Sequence, residues 1–185
     1  MLNFDFYNPT RILFGQQRIA DIDKHIAKSA KVLVLYGGGS VKATGTLQEV
    51  LTALGERTVL QFGGIEPNPS YETLMGAVEI VKQQNIDFLL AVGGGSVIDG
   101  TKFVAAASVY QGDARDILKT RGGVIKHALP MGAVLTLSAT GSEMNNGGVL
   151  TQKDTHTKSA FLVNILFRNL QCLTRPKPTP CPHVN

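Results

Sequence analysis

Tryptophan is absent from this 185-residue chain and aromatic residues make up only 6% of it, which disfavours an all-β sandwich. There are only two cysteines, Cys172 and Cys181, at a spacing that matches no usual zinc or redox motif, so no disulfide framework is implied. No apolar run approaches the roughly 18 residues needed to span a bilayer. The opening MLNFDFYNPTRILFG lacks a basic segment followed by an apolar run of signal-peptide length. The expected compartment is the cytoplasm, with no membrane partner. The net charge of +4 is not spread over the chain: residues 1–154 carry 14 basic and 14 acidic side chains, and the excess is Lys158, Arg168, Arg175 and Lys177. A nucleic-acid groove needs basic residues interspersed with structure, so no nucleic-acid partner is expected.

The chain is rich in glycine, with 20 set against 8 prolines. KVLVLY (31–36) is a short β-branched and aliphatic run that stops at Gly37. Beyond Ser40, the spacing of Val41, Leu47, Val50, Leu51 and Leu54 predicts a helix. DFLLAV (87–92) repeats this plan, stopping at Gly93 before the helical pattern of Val97, Ile98, Phe103, Val104 and Ala107. Both turns share the string GGGSV. Between them RTVLQF reads as a strand, GGIEPNPS as a turn segment, and Ser70 as the N-cap of a helix carrying Thr73, Leu74, Ala77, Val78 and Val81 on one stripe. RILFG and GAVLTL are further strands, with Ile19, Ile22 and Ile26 forming a helical face after the first. Strands alternating with helices predict βαβ units and a mainly parallel α/β sheet.

Three glycines and a serine at the end of a buried strand put bare N–H groups at a helix N-terminus, where a diphosphate approaches closely. Gly93, Gly94, Gly95 and Ser96 suit that task, although the same residues also serve as a tight strand-to-helix connection. Folds that prefer NAD carry a carboxylate at the end of the second strand, which repels a 2′-phosphate. Here Gly37 stands at that place, followed by Gly38, Gly39 and Ser40, with Lys42 nearby. The chemistry therefore favours NADP over NAD, while Lys42 also fits a solvated helix position. Asp99 and Lys102 lie three apart in the first turns of the next helix, where an aspartate is favoured by the helix dipole whatever its function. Thr136, Thr140, Gly141, Ser142, Glu143 and Asn145 follow the last strand and offer polar groups across the strand ends. Thr140 with Glu143 also fits a capping box.

After Gly148 the character changes. The last 31 residues hold no Gly, Asp or Glu but four prolines and both cysteines. The run RPKPTPCPHVN removes ladder donors and prevents helix. Residues 1–160 are expected to form the nucleotide-binding α/β domain, and 161–185 an aberrant, disordered tail outside the sheet. Its abrupt start is what a shift of reading frame would give.

The segments FGGIEPNPSYETL, LLAVGGGSVIDGTKFVAAA and PMGAVLTLSATGSE resemble the iron-containing alcohol dehydrogenase family, in its NADPH-dependent aldehyde reductase and butanol dehydrogenase branch. The resemblance covers about residues 3–160. It implies a Rossmann-like, mainly parallel sheet flanked by helices, the N-terminal domain of a dehydroquinate synthase-like fold, with the helical C-terminal domain missing. By position it places the pyrophosphate at Gly93, Gly94, Gly95 and Ser96 and the 2′-phosphate at Gly38, Gly39 and Ser40. It also places nicotinamide-side contacts at Asp99, Thr136, Thr140 and Asn145, with Lys158 reaching the cofactor. The resemblance also implies NADP(H) as cofactor and, in the intact family enzyme, iron or zinc held by one Asp and three His of the helical domain. Here Asp154, His156 and His183 are the only late ligand candidates, so neither a metal site nor a catalytic residue is expected in this chain. The implied function is the cofactor-binding half of an NADPH-dependent reductase of short aldehydes to alcohols, inactive or weakly active alone. The alternative is a non-catalytic NADP-binding or dimerisation module pairing through the strand at RILFG. A glycerol dehydrogenase or dehydroquinate synthase is disfavoured by the missing carboxylate at Gly37 and by EPNPSYETL.

Overall fold

The computed structural model describes residues 8–163 and 171–174. In chain order the elements are β1 (Arg11–Phe14), a 3-10 turn at Arg18–Asp21, α1 (Ile22–His25), β2 (Val32–Tyr36), α2 (Ser40–Ala43), α3 (Thr46–Leu54), β3 (Val59–Phe62) and α4 (Tyr71–Gln84). There follow β4 (Phe88–Gly93), α5 (Gly95–Ala107), α6 (Arg115–Lys119), β5 (Met131–Leu135), a 3-10 turn at Ser142–Met144, β6 (Gly147–Gln152), β7 (Thr157–Leu162) and β8 (Gln171–Thr174).

Six strands make one sheet in the order β1-β8-β5-β4-β2-β3, with every pairing parallel. The central strands β2, β4 and β5 are buried along their whole length because both of their faces are covered. In β2, Leu33 and Leu35 point into the layer made by α4 and α5, while Val32 and Val34 point into the layer made by α1 and α3. Ile19, Ile22 and Ile26 are buried in that second layer, as their spacing predicts. β6 and β7 form a separate antiparallel hairpin. It closes over α5: the Phe103 ring stands edge-on to Tyr71 at 5.7 Å and to Phe161 at 5.9 Å. α5 is thus enclosed between sheet and hairpin, and its N-terminus is fixed at the strand ends. No helix among the described residues is long and apolar enough to cross a membrane.

Two expectations need correction. The helix after Ser40 is split, because Gly45 adopts a left-handed φ of 72° and stops α2 before α3 begins. The segment from 161 onward is not wholly outside the fold. Phe161 and Leu162 complete β7, and Gln171–Thr174 pair as β8 between β1 and β5. The prolines that argued against a strand are Pro176, Pro178, Pro180 and Pro182, all beyond Thr174, so β8 keeps its backbone donors. Residues 164–170 and 175–185, including Cys181 and His183, lie outside the described residues.

The loop from β3 to α4 is tied down by Glu66. The Ser70 and Thr73 hydroxyls donate to its Oε1 at 2.6 and 2.9 Å, and Lys153 Nζ lies 3.1 Å away. Ser70 also accepts from Thr73 N at 3.3 Å, the N-cap expected from sequence. Burial alone would raise the Glu66 pKa, but the bonds from Ser70, its own backbone, Lys153 and Thr73 outweigh it and lower the value to about 2. Because the folded value lies below the unfolded 4.5, this stabilisation is present above about pH 4.5 and is lost as pH falls toward 2. In urea unfolding, Glu66→Gln is expected to remove roughly 2 kcal/mol at neutral pH and to flatten the acid-side loss. An unchanged acid limb would contradict this.

Candidate functional site

The chain leaves β2 and β4 through the two GGGS turns. Because Tyr36 pairs with Val92 in parallel register, Gly37 and Gly93 emerge side by side at the carboxyl ends of the strands. At the second turn, Gly93 permits the helix to start tightly: a Cβ there would come within 2.7 Å of Val97 Cγ2. A Cβ at Gly95 would collide with Thr140 Oγ1 and approach Ser142 Oγ to 3.1 Å. By contrast, Gly38, Gly39 and Gly94 have open space where a Cβ would stand.

A cleft of about 560 Å³ opens in front of α5. Gly95, Ser96, Asp99, Thr140, Ser142 and Asn145 of the sequence-selected residues line it. Gly37, Gly38, Gly39, Ser40, Gly93, Gly94, Thr136 and Lys158 are not among its lining residues. Thr136 is nonetheless fixed to the turn by its N–H, which donates to the Gly93 carbonyl at 3.0 Å. Lys158 Nζ donates to Asn68 Oδ1 at 3.0 Å, and Asn68 does line the cleft. Ser40 is exposed as the first residue of α2, and Lys42 sits over the Tyr36 ring at 5.2 Å.

The capping box read from Thr140 and Glu143 does not form. Gly141, at a left-handed φ of 68°, precedes the Ser142–Met144 turn with no side-chain cap, and Thr140 Oγ1 instead meets Ser142 Oγ at 2.7 Å. Gly95 explains the difference, since this hydroxyl pair occupies the space that its missing side chain leaves.

Asp99 is more than a dipole residue. Its Oδ2 accepts from Val149 N at 3.2 Å, while its Oδ1 is buried without a hydrogen-bond partner among the described residues. Burial raises its pKa against the opposing charge of Lys102 and hydrogen bonds from Ser142 and Val149. Sequence reasoning missed Asn68, Gly147, Gly148 and Phe161, which also line the cleft. Asn68 carries one signal in hindsight, a residue with positive φ of 56° between the two prolines of EPNPS.

These residues suit a dinucleotide: a glycine-opened helix start with hydroxyls beside it, and a carboxylate whose Oδ1 lies 3.8 Å from the Lys102 ammonium. They do not suit a metal. Among the described residues no three His, Cys, Asp or Glu side chains come together, and Asp154 is paired with Arg115 at 2.8 Å.

The sheet, its crossovers and the cleft define a Rossmann-like α/β domain. Residues 9–168 match a family model described as iron-containing alcohol dehydrogenase. The chain belongs to that family. It is similar to the NADPH-dependent aldehyde reductase YqhD of Escherichia coli, at 59% identity over 87% of this chain and 42% of that protein. A probable NADH-dependent butanol dehydrogenase of Bacillus subtilis is 46% identical over 94% of this chain and 45% of its own length. The crystal structure of E. coli YqhD superposes with a TM-score of 0.88 at 55% identity, covering 93% of this chain and 45% of that one. The chain spans less than half the length of these relatives.

The steric reading of Gly95 is directly testable. Gly95→Ala is expected to cost about 1–3 kcal/mol in urea unfolding through overpacking. Thr140→Ala in the same chain should return most of that loss, and a double-mutant cycle with no coupling would refute the contact.

Proposed function

We propose that this chain is the cofactor-binding half of a metal-dependent oxidoreductase that reduces short aldehydes with NADPH, with little or no activity alone. One observation carries the reading. Gly38, Gly39 and Gly94 have neither a crowded Cβ position nor a positive φ, so nothing among the described residues requires glycine there. Open space before bare amides is what a phosphate group requires.

On this reading the pyrophosphate lies against Gly94, Gly95 and Ser96, with Gly93 shaping the turn. The α5 dipole and free N–H groups favour its charge. The 2′-phosphate lies at Gly38, Gly39 and Ser40, where no carboxylate replaces Gly37. The names of the relatives divide between NADPH and NADH, so cofactor choice rests on these residues. Asp99, Thr136, Thr140 and Asn145 face the nicotinamide end, with Lys158 at the rim. NADPH, when bound, supplies a hydride. The chain's part is to orient the dinucleotide and to exclude water along the apolar wall of Val149, Phe161 and Leu162. The cytoplasm is the compartment this reading implies.

Fluorescence titration tests the assignment. NADPH is expected to bind, and Ser40→Asp to weaken it about tenfold while leaving NADH affinity unchanged, because an added carboxylate repels only the 2′-phosphate. Equal affinities for wild type and variant would refute the site. With zinc or iron and butanal present, NADPH absorbance should stay constant.

A second reading, a dimerisation module, is favoured by β1. It lies at the sheet edge, and Ile12 and Phe14 are 43% and 74% exposed. Sedimentation should then give a dimer that Ile12→Lys with Phe14→Asp converts to monomer; a wild-type monomer at high concentration would refute it.

A further inference from the structure

The most buried cation of the described chain is Lys102, whose side chain is 0% exposed on α5. Its ammonium donates to Asn145 Oδ1 at 2.9 Å and to the Gly147 carbonyl at 2.6 Å. Asn145 Oδ1 also accepts from Gly147 N at 2.9 Å, and Asn145 Nδ2 donates to the Gly141 carbonyl at 3.0 Å. Asp99 lies 3.8 Å from the ammonium and takes Val149 N at 3.2 Å. The cleft wall from Asn145 to Val149 is therefore tied to α5 by polar contacts through Lys102 and Asp99, added to the packing of β6 against α5 and to the β6–β7 ladder. A buried ammonium is expensive and persists only where its bonds and a counter-charge compensate.

We propose that Lys102 is a positioning residue of the cofactor cleft. Its ammonium fixes Asn145 and Gly147, and with them the 145–149 wall, while offsetting the Asp99 charge beside the place where an anionic ligand enters. The proposal rests on the dinucleotide reading above for its ligand, and on the contacts alone for the wall.

The charges facing the ammonium are Asp99 from its own helix and Glu143 from the Ser142–Met144 turn; the hairpin offers only neutral dipoles. Burial lowers the Lys102 pKa to about 8, against the pull of Asp99 and Glu143. Two consequences have opposite signs. Above about pH 8 the ammonium is lost, Asp99 is left uncompensated, and anion affinity falls. The unfolded value is 10.5, so between these values the unfolded chain binds more protons and this group makes the fold more stable as pH rises. The window lies above the titration of a phosphate monoester, about 6.

NADPH affinity and the urea midpoint should be measured for wild type and Lys102→Met from about pH 7 to 9.5, with amide hydrogen exchange of the ligand-free proteins. Wild type should lose about tenfold in affinity across the window with no matching fall in urea midpoint. Lys102→Met should bind about tenfold more weakly at pH 7, show a flat profile, and exchange faster at Asn145–Val149 than at β2 or β4. A variant that binds like wild type with the same pH slope, or a wild-type affinity loss that follows unfolding, would overturn the proposal. If wild type does not bind NADPH, the dinucleotide reading fails and exchange alone decides: equal exchange at Asn145–Val149 refutes the positioning role. If the variant does not fold, the wild-type profile decides.

Discussion

The parallel pairing of β2 with β4 is the constraint on which the site depends. With Tyr36 opposite Val92, two glycine turns leave the sheet as neighbours. The chain then departs in opposite directions: β2 leads to β3 on the outer side, and β4 leads to β5 on the inner side. α3 packs on one face of the sheet and α5 on the other. A crevice at the carboxyl ends of the strands is the geometric consequence, because no helix crosses the point where the connections diverge. A one-residue slip of this register would exchange Val32 and Val34 with Leu33 and Leu35 between the two layers and mispack both cores together. The packing that stabilises the sheet therefore also fixes the site.

The glycines of the two turns and of the facing hairpin answer to different demands. Gly93, Gly95 and Gly148 are required by neighbours: Val97, Thr140 with Ser142, and Phe161 all occupy the room a side chain would take. Those three would be glycines in a domain that bound nothing. Gly38, Gly39 and Gly94 are different, since their Cβ positions are empty. Repetition of GGGSV does not separate the two cases. Contact geometry does, and it moves the weight of the binding reading onto the residues with no packing duty.

The strands of the sheet core, the α4 cap and most of the cleft's polar residues were legible because each has a local signal. Leu33 and Leu35 lie in a run that ends at glycine, and Ser70 precedes an apolar stripe of helical period. The errors have two origins, local backbone geometry at Gly45 and contacts between separated segments elsewhere. Gly45 splits a helix whose apolar spacing is continuous. β8 exists because β1 and β5 flank it, with proline-rich sequence immediately following. The capping box failed because Thr140 is engaged by Ser142 beneath Gly95. Lys102 could be seen in sequence only as a partner for Asp99 three residues away, yet its shortest bonds reach Asn145 and Gly147.

The two walls of the cleft differ in chemistry, and this difference bears on what the cleft takes. The α5 side presents Gly95, Ser96 and the exposed main chain of a helix start. The hairpin side presents Val149 and Leu162, which are 44% and 51% exposed. Exposed aliphatic side chains on a short hairpin cost hydration free energy unless a ligand or further polypeptide covers them. A small anion would satisfy the first wall and leave the second wet. A dinucleotide has a charged linkage and flat apolar rings, so it meets both. The asymmetry of the walls therefore argues for an amphiphilic ligand over phosphate alone, independently of the glycine count.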